Sequence, residues 1–430
     1  MSTSENAHVL IAGAGIGGLT AALALHAHGI EATVLENARE IRPIGVGINI
    51  QPAAIAELTS LGLGEALAAI GVATREHRYL DRTGTTLWTE PRGLAAGHRC
   101  PQYSLHRGEL QMMLLAAVRD RLGPDAVRAG SRVTGFTQTP GGVQVQVENG
   151  RDENGRDERG GPSISIEGTA LIGADGRNSA VLSQLHPDRT AVSSARIHMW
   201  RGLTELDGFL DGRTMILGND EHGARMIAYP CSARHARQGR ALLNWVCMVP
   251  AAATGASADS GWAGAGRLED VLPHFAAWDF GWLNVPEVLA RSSRILRYPM
   301  VDRDPLAGWG DGRVTLLGDA AHLMYPIGAN GASQAVLDAV ALAAELARGD
   351  DVAAALDRYE GVRRPATTAI TQANRDMDTA ERALAARAGA DDATKAAHLE
   401  SVTTSYRDVV DTGTGHVAHP IHPGGANPRG

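Results

Sequence analysis

Three stretches of the chain place small residues and carboxylates at spacings that can hold a ligand. Gly13-Ala14-Gly15-Ile16-Gly17-Gly18 satisfies the pattern GxGxxG. There the first glycine, Gly13, permits a tight turn, Gly15 has no Cβ to block a pyrophosphate, and Gly18 lets a strand and a helix pack closely. The free N–H groups of the helix N-terminus then face the phosphates. Glu36 stands 18 residues past Gly18, where a carboxylate accepts hydrogen bonds from ribose hydroxyls. An acid there repels a 2′-phosphate, which leaves FAD or NAD as the dinucleotide.

The second and third stretches are Asp175-Gly176, after the apolar run TALI, and Gly318-Asp319, after RVTLL. Each is a buried strand ending in Gly and Asp, the place where an open α/β sheet binds ligands. After the third comes Met324-Tyr325-Pro326-Ile327-Gly328-Ala329-Asn330-Gly331, a loop whose bare N–H groups can face a flat polar ring. An NAD site has no need of these distant strand ends. A flavin that reaches across the sheet does.

The elements that must position these groups follow from the pattern of the chain. Residues 8–36 read strand, Ala/Leu-rich helix, strand, which makes GxGxxG more than a chance match. The fold class expected is α/β, a Rossmann-like three-layer ββα domain with an inserted β-sheet domain and a C-terminal helical segment. The first domain takes residues 1–76, 99–185 and 298–375. The substrate domain takes a hairpin at 77–98 and the strands of 186–297. Helices fill 376–410, and 411–430 reads as a disordered tail. The repeated GRDE of residues 150–158 reads as a solvated hairpin tip, and GWAGAG (261–266) as a loop, so one nucleotide fold is expected.

Composition removes other classes. The net charge is −8, which argues against a nucleic-acid partner. Three cysteines fit no metal or disulfide spacing, and no metal site is expected. No apolar run is long enough for a membrane span, so a cytoplasmic protein is expected. Glycine is abundant, at 51 residues. Ten of the 18 aromatic residues fall between Trp200 and Tyr298.

The three motifs, in this order, resemble the single-component FAD-dependent aromatic hydroxylases, the class A flavoprotein monooxygenases. The segments GVGINIQPAA (45–54), PQYSLHRGELQ (101–111), MWRGLTE (199–205) and LLGDAAHLMYPIGANGASQA (316–335) point to the branch acting on phenazine carboxylates. The resemblance covers the chain to about residue 410. It implies FAD as cofactor, NADH or NADPH as co-substrate, and O2 and an aromatic acid as reactants. The flavin C4a-hydroperoxide would deliver oxygen to the ring, with loss of CO2 where the attacked carbon bears a carboxylate. A pathway methyltransferase would be a possible partner. A salicylate-type hydroxylase and an FAD-dependent dehydrogenase or reductase are the alternatives.

The resemblance also implies roles. Gly13, Gly15, Gly18 and Glu36 would hold the ADP half of FAD, and Arg107 would contact the flavin nucleotide. Asp175 and Gly176 would serve FAD and the reduced nicotinamide. Asp319 would bind the ribityl and pyrophosphate region, and Gly328, Asn330 and Gly331 would face the flavin ring. The chemistry requires a dry aromatic wall, because water would discharge the oxygenating species. Trp200, Tyr229, Trp245, Tyr325 and Pro326 are the expected wall, with Tyr325 the foremost substrate contact. His322 is a candidate acid–base group, weighed against a role in fixing the strand end. The family usually closes its DG motif with arginine. Leu182 stands there, and Arg177 is the expected substitute.

Overall fold

The computed structural model describes residues 8–149, 163–254, 264–349, 351–385 and 391–414. The GRDE repeat and the last 16 residues lie outside them. A five-stranded parallel sheet runs in the order Val314–Leu316, Ala170–Gly173, His8–Ala12, Glu31–Leu35, Val127–Arg128. Its central strands are unbroken apolar runs because both faces are covered. One face meets the antiparallel layer Ser131–Thr139, Gly142–Asn149 and Ile164–Gly168. On the other lie helices Ile16–Ala27, Arg107–Leu122 and Gly331–Leu346. Helix Ile16–Ala27 is buried on almost every side, which its Gly, Ala and Leu residues permit.

Parallel pairing carries the functional consequence. Ala12 pairs with Leu35 and with Gly173, and Gly173 with Leu316. The segments after these four residues therefore emerge at one edge of the sheet. Gly13, Glu36, Asp175 and Asp319 come together there, although they span about three hundred residues of chain.

An eight-stranded sheet forms the second body. Its order is Gly264–Ala265, Ile295–Asp302, Ser193–Leu206, Ala241–Pro250, Arg225–Pro230, Thr214–Asn219, Glu76–Asp81, Thr86–Pro91. The last two strands are the hairpin that the 77–98 stretch suggests, joined by a parallel pairing to Thr214–Asn219. Residues Gly264–Ala265, expected in a loop, instead pair as a short edge strand with Arg297 and Leu296. A small three-stranded sheet, Gly47–Ile50, Gln102–His106 and Val72–Thr74, lies between the two larger ones.

Three boundaries differ from expectation. Strand Ile295–Asp302 crosses position 298 without a break, because its pairing with Ser193–Leu206 continues past it. Helix Val352–Ala385 likewise runs through position 375, and helix Asp392–Thr414 extends the helical segment four residues into the expected tail. No helix of the described residues is long and apolar enough to cross a membrane.

Candidate active site

At the carboxyl edge of the parallel sheet, Gly13 turns with φ +101°, and a Cβ there would lie 2.5 Å from the carbonyl oxygen of Ala174. A Cβ on Gly18 would lie 2.0 Å from the oxygen of Gly13. The two glycines thus allow backbone to meet backbone. Gly15 is different, since nothing lies within 4 Å of its Cβ position. It caps helix Ile16–Ala27, and no side chain caps that end. The result is a bare helix N-terminus with open space before it, a setting for a phosphate.

Glu36 is half-buried at the end of its strand and accepts hydrogen bonds from the N–H of Ala14 (2.7 Å) and of Ala38 (2.8 Å). Each carboxylate oxygen keeps a free lone pair for a further donor. Arg107 is exposed at the start of its helix, its stem 3.4 Å from the Cβ position of Gly45, and its guanidinium has no hydrogen-bond or ion-pair partner among the described residues. Asp175 uses Oδ2 to cap the N–H of Ala180 at 2.7 Å, while its Oδ1 is out of solvent contact and unpartnered. Burial raises its pKa, against hydrogen bonds from Ser179 and the following backbone. Gly176 has φ +75°. Asp319 is exposed, its carboxylate has no hydrogen-bond partner among the described residues, and it points an oxygen to 3.8 Å from the Cβ position of Gly331. An open cradle at Gly15, an orphaned buried carboxylate oxygen and an unpaired arginine are the features a large polar cofactor would complete.

Sequence reasoning missed Arg303, which ties the two Asp-Gly stretches together. Its guanidinium is buried and donates to the backbone oxygen of Arg177 at 3.0 Å, with longer contacts to those of Asp319 and Ala320. Burial lowers its pKa and Asp319 opposes this. Leu182, in place of the family's arginine, is fully packed in the core. Arg177 stands beside Arg303, and burial and then that neighbouring cation lower its pKa.

His322 is buried, and its contacts fit the alternative weighed for it, a role in fixing the strand end. Its Nε2 bonds Oδ2 of the fully buried Asp338, and its ring packs on Trp309. Asp338 also accepts from Nε of buried Arg363 at 2.8 Å and from the N–H of Gly318 at 3.1 Å. This network lies behind the Gly318-Asp319 turn and holds its backbone. It explains the Asp338 that follows Leu337.

The large sheet has two faces, and period-two alternation decides which side chains meet the 326–331 loop. Trp200 and Trp245 lie on the far face, in a core with Phe275, Trp278 and Phe280. Trp245 Nε1 donates to the hydroxyls of Ser292 (2.7 Å) and Thr204 (3.2 Å). Both tryptophans, expected in the substrate wall, are therefore corrected to structural positions. Tyr229 points to the near face, and Tyr325 packs there with Met199, Val246, Met248, Met300 and Met377. Pro326 is exposed at the head of the loop. Burial raises the Tyr325 pKa.

On the near face the strand Gly47–Ile50 approaches so closely that a Cβ on Gly47 would lie 2.6 Å from Asn244 and 2.8 Å from Tyr229. Asn244 Oδ1 accepts from the N–H of Gly47 (2.8 Å), and Arg201 donates to its carbonyl (2.6 Å). Burial pushes the Tyr229 hydroxyl up, with Arg201 pulling it back. Farther along, a cavity of ≈ 40 Å³ lies between the near face and Ile327-Gly328, lined by Ile227, Met248, Met377 and Arg225. Arg225 is buried, paired with Asp378 (2.8 Å) and Glu381 (2.6 Å), and its Nε has no partner. Arg201, Asn244 and Arg225 carried a signal in the sequence: polar residues inside otherwise apolar strands. Nothing local said which face they occupy.

The 326–331 loop is itself held from behind. Gly328 has φ +68°, and its Cβ position falls on the ring and hydroxyl of Tyr406. Asn330 Nδ2 donates to Tyr406 Oη, which donates to Asn374 Oδ1 at 2.7 Å. Gln51 Nε2 donates to the oxygen of Gly328 at 3.1 Å.

A parallel sheet with a glycine cradle, carboxylates at its carboxyl edge and a second sheet facing a glycine-rich loop suits a dinucleotide that reaches across the sheet, as FAD does. The family model described as FAD binding domain matches residues 6–242 and 284–374, and the chain belongs to that family. It is 64% identical over 412 residues to phenazine 1,6-dicarboxylic acid hydroxylase PhzS of Lysobacter antibioticus, covering 96% of this chain and 99% of the relative. It is 32% identical to an FAD-dependent urate hydroxylase of Klebsiella pneumoniae, covering 82% of this chain and 85% of that one. Among solved structures, Klebsiella pneumoniae HpxO with FAD and uric acid aligns with a TM-score of 0.72 at 25% identity, over 96% of this chain and 97% of that chain.

Proposed function

We propose that the chain hydroxylates a phenazine carboxylate, with loss of CO2 where the attacked carbon carries the carboxylate. The observation that carries this reading is the 64% identity, over 96% of the chain, to a phenazine dicarboxylate hydroxylase. The near face of the large sheet supports it. Four methionines (Met199, Met248, Met300, Met377) form an apolar, adaptable wall.

Gly13, Gly15, Gly18 and Glu36 would hold the ADP half of FAD. Arg107, Asp175, Gly176 and Asp319 would follow it along the sheet edge, and Gly328, Asn330 and Gly331 would meet the flavin ring. When bound, FAD would supply the redox chemistry of the hydroxylation, with NADH or NADPH as the reductant and O2 as the oxidant. The protein's own part is position and dryness. Tyr325 and the methionines exclude water, and Asn244 and Arg201 fix the Gly47 backbone.

Incubation with NADH, O2 and phenazine-1-carboxylate or the 1,6-dicarboxylate, followed by mass spectrometry, tests the reading. A phenazine carrying one ¹⁸O atom from ¹⁸O2 is expected. Hydrogen peroxide with every phenazine returned unchanged would refute it.

A further inference from the structure

A cavity of ≈ 210 Å³ lies behind the 326–331 loop, and Gly328, Asn330 and Tyr406 line it. On that side polar ties hold the loop in place of packing. They form a relay with one possible direction. The carbonyl of Tyr325 can only accept, so Asn374, on helix Val352–Ala385, must present Nδ2 to it, at 3.3 Å. Asn374 Oδ1 then faces Tyr406 and accepts from its hydroxyl at 2.7 Å. The Ile327 carbonyl, a longer 3.5 Å away, can also only accept from that hydroxyl. The hydroxyl has a single proton, so toward Asn330 it accepts, and Asn330 must turn Nδ2 to it. The same Nδ2 reaches the oxygen of Gly328 at 3.3 Å. Asn330 is buried, and its Oδ1 is left with no partner among the described residues. Leaving a buried acceptor unmet costs free energy, so the orientation of this amide is imposed by the relay. Tyr406 belongs to helix Asp392–Thr414, which lies beyond the segments matched by the FAD binding domain model. The next residue, Arg407, ties that helix to buried Glu90 of the hairpin at 3.5 Å.

We propose that Tyr406 is a positioning residue for the flavin. Acting through Asn330, its hydroxyl sets the amide orientation and the backbone of residues 327–330, against which the flavin ring lies. A ring held in one place passes oxygen to the substrate, whereas a loose ring sheds it as hydrogen peroxide. The proposal rests on the placing of the ring against this loop given above, so that placing is tested separately.

Tyr406→Phe keeps the aromatic ring and removes the hydroxyl at the middle of the relay. FAD affinity, from dilution of the holoenzyme followed by flavin fluorescence, should fall about three- to tenfold, the loss of one hydrogen bond. The visible absorption bands of the bound flavin should shift. At saturating FAD with phenazine-1-carboxylate present, a larger share of the NADH consumed should end as hydrogen peroxide. Val409→Ala is the structural control, since Val409 sits on the same helix and packs with Met324 and Ile370. It should lower Tm and leave FAD affinity and the flavin spectrum unchanged. Gly331→Ala tests the placing of the ring, because its Cβ position has Asp319 Oδ1 at an ordinary 3.8 Å and the protein itself accepts the methyl. Weaker FAD binding in Gly331→Ala, with wild-type affinity and spectrum in Tyr406→Phe, would overturn the positioning role and keep the ring against the loop. Wild-type values in both variants would discard both. Equal losses of affinity in Tyr406→Phe and Val409→Ala would overturn the role of the hydroxyl in favour of helix docking alone. Affinity and spectrum are read without substrate, so an enzyme that returned every phenazine unchanged would discard the substrate assignment alone.

Discussion

Replacing Asp338 by alanine should destabilise the protein more than most single changes. Asp338 is fully buried and joins three donors: His322 Nε2, Arg363 Nε and the N–H of Gly318. Arg363 is equally buried, and its guanidinium also donates to Gln334 Oε1 at 2.6 Å. Removing the carboxylate leaves a buried guanidinium without its counter-charge, a loss of about 3–5 kcal/mol. Against a total stability of about 5–15 kcal/mol, that is a large fraction. Urea unfolding at fixed excess FAD should show a lower midpoint with unchanged slope. Asp338→Asn, which keeps an acceptor of the same shape, should lose less. The pH dependence follows from the sign of the shift. Burial alone would raise this carboxyl, but His322 and Arg363 outweigh it and hold its pKa below the ordinary value. Its contribution is therefore present above the unfolded-state pKa of about 3.9 and is lost as pH falls through the depressed folded value. The stability gap between wild type and Asp338→Asn should be level near neutrality and narrow only in acid. A loss below about 1 kcal/mol in Asp338→Ala, the size expected of an exposed pair, would refute the reasoning.

Three further outcomes can be measured directly. Glu36→Ala should weaken FAD binding about tenfold or more in a fluorescence titration, since a hydrogen bond to a charged group contributes about 1.5–3 kcal/mol; equal affinity would remove the ribose role. Gly15→Val should leave a folded apoprotein by circular dichroism, because its Cβ direction is open, yet block FAD by filling the cradle. Trp245→Phe should cost about 1–3 kcal/mol of stability by deleting the donor to Ser292 and Thr204, with kcat little changed; a large loss of kcat at full FAD loading would return Trp245 to the substrate wall.

Much of the fold was legible in the chain. GxGxxG between two apolar strands, the hairpin at 77–91 and the long alanine-rich helix all announce themselves locally, through turn chemistry and period. Glycines are readable because the constraint acts on their own backbone: Gly13 and Gly328 need positive φ, and Gly18 needs the absent Cβ. The Gly264–Ala265 edge strand was not readable, because its partner lies some thirty residues away and only two residues pair.

The amino-acid sequence by itself determined the dinucleotide cradle, the three strand-end motifs and their order, since each is written in consecutive residues. Tertiary structure alone decided the rest. Alternation along Ala241–Pro250 separates Leu243, Trp245 and Cys247 from Asn244, Val246 and Met248, but does not say which set meets the loop. Helices Leu268–Phe275 and Val285–Ala290 take the tryptophan face into their own core, and what remains for the loop is methionine, asparagine and arginine. The same holds for His322, whose neighbours in sequence suggest chemistry and whose neighbours in space, Asp338 and Arg363, make it a strut. A side chain's role depends on which element packs against it, and that information lies far away along the chain.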